Sequence, residues 1–107
     1  MSGSSGGGGG GGYENEVPCD KLRFEAQLTS PQPAVVATLQ RGDVLAVAVV
    51  TMKGQVVVQV LKGSQVAGGL AGPDATRLRN CIQSGHPYKA IVRTINGGQV
   101  RVLVEHV

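Results

Sequence analysis

One stretch of this chain follows a helical period, and it is bracketed by residues that fix both of its ends. Pro73 suits a first helical position, because its ring presets φ and its missing N–H would have no intrahelical partner there. Asp74 follows in the first turn, where a carboxylate favours the positive end of the helix dipole. Ala75, Leu78, Cys81 and Ile82 then recur at the spacing that makes one apolar stripe, with Thr76, Asn80 and Gln83 opposite. Gly85 is placed to close the helix in a left-handed conformation, and Pro87 prevents its continuation. The spacing predicts a helix over residues 73–84. A helix of about 12 residues is unstable alone in water, so it must lie on a sheet.

The rest of the chain alternates. Leu22, Phe24, Ala26 and Leu28 are interleaved with Arg23, Glu25 and Gln27, the rhythm of a strand with one wet face. Ser30-Pro31-Gln32-Pro33 ends that strand and a short apolar run, 34–39, follows. Gln40-Arg41-Gly42-Asp43 reads as a turn, although Arg41-Gly42-Asp43 also spells a cell-adhesion tripeptide. Residues 43–51 are nearly continuous in apolar side chains, the texture of a strand covered on both faces. Lys53-Gly54 turns the chain back through Val56, Val57, Val58, Val60 and Leu61, so 43–62 reads as a hairpin. Gln65 to Leu70 is a weaker strand in which Gly68 and Gly69 signal a bulge or a close backbone approach. After the helix, the alternating runs 88–95 and 100–105 flank Asn96-Gly97-Gly98, a strong hairpin turn. The expected fold is therefore mostly β with one helix (α+β): a small curled antiparallel sheet or barrel of six or seven strands packed on that helix.

Length permits a single domain over 17–107, since the first twelve residues are nearly all Gly and Ser. Residues 1–16 form an arm expected to be disordered, either a native low-complexity tail or a cloning-derived one. The chain has no apolar run long enough for a membrane helix and no signal-peptide start, so a soluble cytoplasmic protein is expected, with no membrane partner. In that compartment Cys19 and Cys81 read as reduced, mostly buried thiols; a bridge between them would staple the lead-in to the helix.

Charge is uneven along the chain. Ten Lys and Arg stand against seven Asp and Glu overall. From Met52 onward the bases Lys53, Lys62, Arg77, Arg79, Lys89, Arg93 and Arg101 face only Asp74 and Glu105. Such a surplus favours a polyanionic partner, with these seven as phosphate contacts and Tyr88 as the stacking ring. Tyr13, Phe24 and Tyr88 are the whole aromatic set, so a stacking platform of the usual kind is not expected.

The residues argue against an enzyme. His86 and His106 are the only histidines, and no pair of carboxylates falls in an apolar setting that would raise a pKa for acid–base work. Cys81 belongs to the packed stripe, and the position of His86 beside a helix C-terminus is sufficient to explain it. Two Cys and two His without CxxC or HxxxH spacing predict no metal site, and no cofactor is expected. Gly68-Gly69-Leu70-Ala71-Gly72 precedes a helix but lacks the Lys-Ser/Thr of a phosphate loop.

The order of Val66-Ala67-Gly68-Gly69-Leu70, a short helix, Gly85 and the pair Tyr88-Lys89-Ala90-Ile91-Val92 and Val100-Arg101-Val102 resembles the second half of a HIRAN domain, over about residues 55–105. The likeness lies in hydrophobic positions. It implies a small β-barrel-like module of the kind found alone in bacteria or fused to DNA-remodelling helicases, where it is associated with single-stranded DNA and its 3′ ends. No Asn-Pro-Tyr-Asp type segment precedes the Gly-rich strand, so no binding residue carries over by position. The expected function is a non-catalytic module binding single-stranded DNA or DNA ends. The alternative is an accessory protein-interaction domain presenting Val44 to Val50 or Val100 to Val104 as a strand edge to a larger partner.

Overall fold

The computed structural model describes residues 17–107; the arm expected to be disordered, 1–16, lies outside them. A 3-10 turn, Cys19–Lys21, leads into β1, Arg23–Gln27. Then come a single helical turn α1, Pro33–Val36, the hairpin of β2, Val44–Met52, and β3, Gln55–Lys62, and strand β4, Gln65–Leu70. The helix α2, Pro73–Gln83, precedes a final hairpin of β5, Tyr88–Asn96, and β6, Gln99–His106. The six strands form one antiparallel sheet in the order β1-β6-β5-β2-β3-β4.

Helix α2 begins at Pro73 and ends at Gln83, and Gly85 follows at φ 102°, the left-handed conformation that closes the last turn. Its stripe faces inward: Ala75, Leu78 and Cys81 are buried, and Ile82 packs partly against the core. The core opposite is valine-rich, because β-branched side chains suit a pleated, half-buried surface. Val58 and Val60 from β3, Ala90 and Val92 from β5, and Val100, Val102 and Val104 from β6 fill it. The register explains this set, since Phe24, Val104 and Ala90 lie in one row across the sheet and Ala26, Val102 and Val92 in the next. Residues directly opposite share a face.

The sheet curls until its two outer strands nearly meet. Just past β1, Thr29 pairs with Gly69 of β4, each N–H donating to the other's carbonyl at 2.8 Å. This single bridge joins the rims without closing a barrel. It also accounts for both glycines. A Cβ on Gly68 would lie 3.0 Å from the Thr29 carbonyl oxygen and 3.1 Å from Leu28 Cβ, and one on Gly69 would lie 2.9 Å from Thr29 Oγ1. The pairing shifts register by one residue between Val60 and Leu61, so the bulge and the close approach expected there are both present. Gly68→Ala should cost about 1–3 kcal/mol, read as a lower urea midpoint, because its methyl group meets backbone held in the bridge. Gly69→Ala should cost less, because the Thr29 hydroxyl can rotate away.

Two sequence expectations change. The short apolar run 34–39 carries α1, with Pro33 as its N1 residue, and Val35, Val36 and Leu39 join the core. Strand β2 is not covered on both faces. Along Val44–Met52 only Leu45 is buried, so one face is left open; laterally, Val44–Ala46 pairs with β5, and Val47–Met52 pairs with β3 alone among the described residues. Val44 and Met52 are 65% and 50% exposed. Val100–Val104 is not a free edge, because β6 lies between β1 and β5. Arg41-Gly42-Asp43 is the expected turn, closed by the Gln40 N–H donating to Asp43 Oδ2 at 2.9 Å.

Candidate functional site

The outer face of β1, β6 and β5 carries the densest group of charges. Alternation sends Arg23 and Glu25 outward from β1, Arg101, Leu103 and Glu105 from β6, and Lys89 and Ile91 from β5. One row across the strands reads Arg23, Glu105, Lys89, and the next reads Glu25, Leu103, Ile91. Each carboxylate lies between two bases. Glu105 is 3.2 Å from Arg23 Nε and 3.7 Å from Lys89 Nζ, while Glu25 is 3.8 Å from both Arg93 Nε and Arg101 Nη2.

Arg93 reaches Glu25 from two strands away. The pairing of β5 with β6 shifts between Val92 and Thr94, leaving Arg93 as the extra residue of a bulge, which re-aims its side chain. The guanidinium crosses β6 to reach Glu25 on β1, and Leu103 on this face is buried although it lies on the side away from the core. Arg41 adds a fifth base: with Gly42, Ile91, Val92 and Arg93 it lines an open groove of about 470 Å³. Surface ion pairs of this kind are worth about 0–1 kcal/mol each, so the arginines and the lysine can exchange the two glutamates for a stronger anion at little cost.

The structure divides the residues singled out by sequence. Lys89, Arg93 and Arg101 come together on this face, joined by Arg23 and Arg41. Those two were missed because they precede Met52: the β1–β6 pairing brings Arg23 beside the last strand, and the Gly42 N–H donating to the Val92 carbonyl at 2.8 Å sets Arg41 beside β5. Arg77 and Arg79 lie on α2, the first paired with Asp74 at 3.7 Å and the second beside a groove lined by Val56, Ala75 and Thr76. Lys62 is tied down, donating to the Thr38 carbonyl at 2.7 Å and its hydroxyl at 3.1 Å. Lys53 sits alone at the tip of the β2–β3 hairpin with φ 51°.

Tyr88 does not offer a stacking surface. Its side chain is buried and its hydroxyl donates to the Cys19 carbonyl. Burial, with a smaller contribution from the charge of Asp20, raises its pKa and keeps it a protonated donor. Phe24 packs against the core from the inner face. Among the described residues the basic face therefore has no ring on which a base could stack.

A second cluster lies where α2 ends. Cys19 and Cys81, expected as thiols, are joined in a disulfide with Cα atoms 5.5 Å apart. The turn Cys19–Lys21 docks on the helix, and this long-range placement left no trace in the spacing of the two residues. The His86 N–H donates to the Cys81 carbonyl at 3.0 Å, and His86 Nδ1 stands 3.1 Å from His106 Nε2. The Tyr88 and His106 rings meet edge to face at 5.2 Å. Among the described residues no group of three His, Cys, Asp or Glu is arranged to hold a metal, and no helix is long and apolar enough to cross a membrane. A third feature is an apolar groove of about 490 Å³ beside the Thr29–Gly69 bridge, lined by Met52, Val57, Val66 and Leu70 and devoid of ionisable side chains.

Fold and site define a small α+β domain with one curled antiparallel sheet, a single long helix and a charged outer face. No family model, curated protein or solved structure matches this chain.

Proposed function

We propose that this domain is a non-catalytic module that binds single-stranded nucleic acid, or a strand end, on the outer face of β1, β6 and β5. One observation carries the reading: among the described residues, Arg23, Arg41, Lys89, Arg93 and Arg101 share that surface with only Glu25 and Glu105. The hydrophobic pattern that resembles HIRAN domains supports it. With no ring on the face among the described residues, the contacts are to phosphates, and affinity should be electrostatic and largely independent of sequence.

Titrating a labelled single strand with the full chain over a salt series tests this. The logarithm of the binding constant should fall linearly with the logarithm of salt. Combining Lys89→Ala, Arg93→Ala and Arg101→Ala should flatten that line by about 2 units of slope, at about 0.7 per phosphate contact. Arg77→Ala with Arg79→Ala should leave it nearly unchanged. Equal losses from the two sets would move the site off the sheet, and no binding at low salt would remove it.

A second reading, an accessory protein-interaction domain, rests on the unpaired stretch Val47–Met52 of β2, whose backbone groups could pair with a partner strand. Sedimentation of a strict monomer that copurifies with no other chain would count against it. The cytoplasmic setting belongs to the nucleic-acid reading, and there the two cysteines would be held reduced. Mass spectrometry after alkylation of freshly lysed cells reports which form the protein carries.

A further inference from the structure

We propose that His86 and His106 form a site for a divalent transition metal of borderline softness, Zn2+, Ni2+ or Cu2+, bound through one ring nitrogen of each. The two residues come from different elements. His86 follows Gly85 at the end of α2, and His106 is the last residue of β6, placed beside it by the pairing of Tyr88 with His106 across the final hairpin.

The arrangement prepares one lone pair for a metal. His106 Nδ1 lies 2.8 Å from the Val107 carbonyl, an acceptor only, so this nitrogen carries the proton. His106 Nε2 is left with its lone pair facing His86 Nδ1 at 3.1 Å. A backbone carbonyl that fixes the tautomer of an imidazole is the usual outer support of a histidine ligand. Two nitrogens bound at 2.0–2.1 Å to one tetrahedral ion are about 3.3 Å apart, so the separation opens by only a few tenths of an ångström, and each ring turns by about 35° to aim its lone pair at the ion. In the metal-free protein His86 donates its Nδ1 proton across the same gap; binding shifts that proton to His86 Nε2, and the metal takes its place.

The surroundings favour a cation. The carbonyl end of α2 points toward His86 and carries partial negative charge. The Tyr88 ring, edge to face with His106 at 5.2 Å, backs the pair from the protein side. Both cysteine sulfurs are committed to the disulfide, so they are not ligands. The remaining positions of the ion go to water, which makes the site open and exchangeable, and imidazole ligands order the metals with Cu2+ tightest.

The test uses the full oxidised chain titrated with Zn2+ and with Cu2+ by calorimetry, and with Zn2+ by NMR of the histidine ring protons. One equivalent should saturate, Cu2+ should bind more tightly than Zn2+, and the ring signals of His86 and His106 should shift together. His86→Ala and His106→Ala should each weaken binding about tenfold or more, since loss of a mere outer support already costs that much. The NMR titration of the unaltered protein keeps the test informative if either variant folds poorly. Absence of saturable binding at millimolar metal, saturation without movement of both rings, or full affinity in either well-folded variant would overturn the assignment.

Discussion

Replacing Cys19 and Cys81 with serine should lower the stability of the oxidised protein by about 4 kcal/mol, the loop-closure entropy expected when residues 62 apart are released from one another. The bond ties a turn that buries none of its own side chains to a helix that cannot stand alone. Without it, the lead-in is held by the Tyr88 hydroxyl on the Cys19 carbonyl and by the burial of Leu22. Urea unfolding monitored by circular dichroism measures the loss as a lower midpoint. The slope of the transition should also steepen, because an uncrosslinked denatured chain exposes more surface. The unaltered protein in excess dithiol should match the serine variant. An unchanged midpoint in both would mean that the lead-in is docked by its contacts alone.

This bond shows how local and long-range information divide in the chain. The helix was legible because its signals lie within a few residues of one another: Pro73 at one end, Gly85 at the other, and the stripe between. The hairpin turns at Lys53-Gly54 and Asn96-Gly97 were legible for the same reason. What depends on register was not. The row Arg23, Glu105, Lys89 exists because β1 inserts beside β6, so its first pair is 82 residues apart in sequence, and no periodicity encodes that. Residues 43–51 read as covered on both faces because an apolar run looks the same whether or not a second layer packs on its far face. Tyr88 looked like a free ring because nothing near it in sequence announces the Cys19 carbonyl. The candidate site is thus half visible from sequence. The surplus of bases could be counted, but their assembly on one face required the strand order.

Leu78→Ala should cost about 3 kcal/mol, within the range of fully buried leucines whose surroundings relax only partly. Leu78 is 0% exposed and sits at the centre of the inward stripe between Ala75 and Cys81. Truncation removes its burial and leaves a cavity between α2 and the valines of the sheet. A thermal or urea transition reads the loss; Arg79→Ala, on the exposed side of the same helix, should stay within about 0.5 kcal/mol of the unaltered protein. Combining Leu78→Ala with removal of the disulfide is the more demanding test. If the two effects were independent, the sum would be about 7 kcal/mol, comparable with the whole stability of a small domain, and the protein would be largely unfolded at room temperature. Leu78 and Cys81 are neighbours on one helical face, however, so their effects should couple. With the bridge intact, the helix stays close to the sheet when Leu78 is truncated and the cavity can partly collapse. With the bridge gone, the same truncation leaves Ala75, Ile82 and the unbonded Cys81 side chain to hold the helix. The loss from Leu78→Ala should therefore be larger in reduced protein than in oxidised protein, and equal losses would mean that the sheet holds α2 without help from the lead-in.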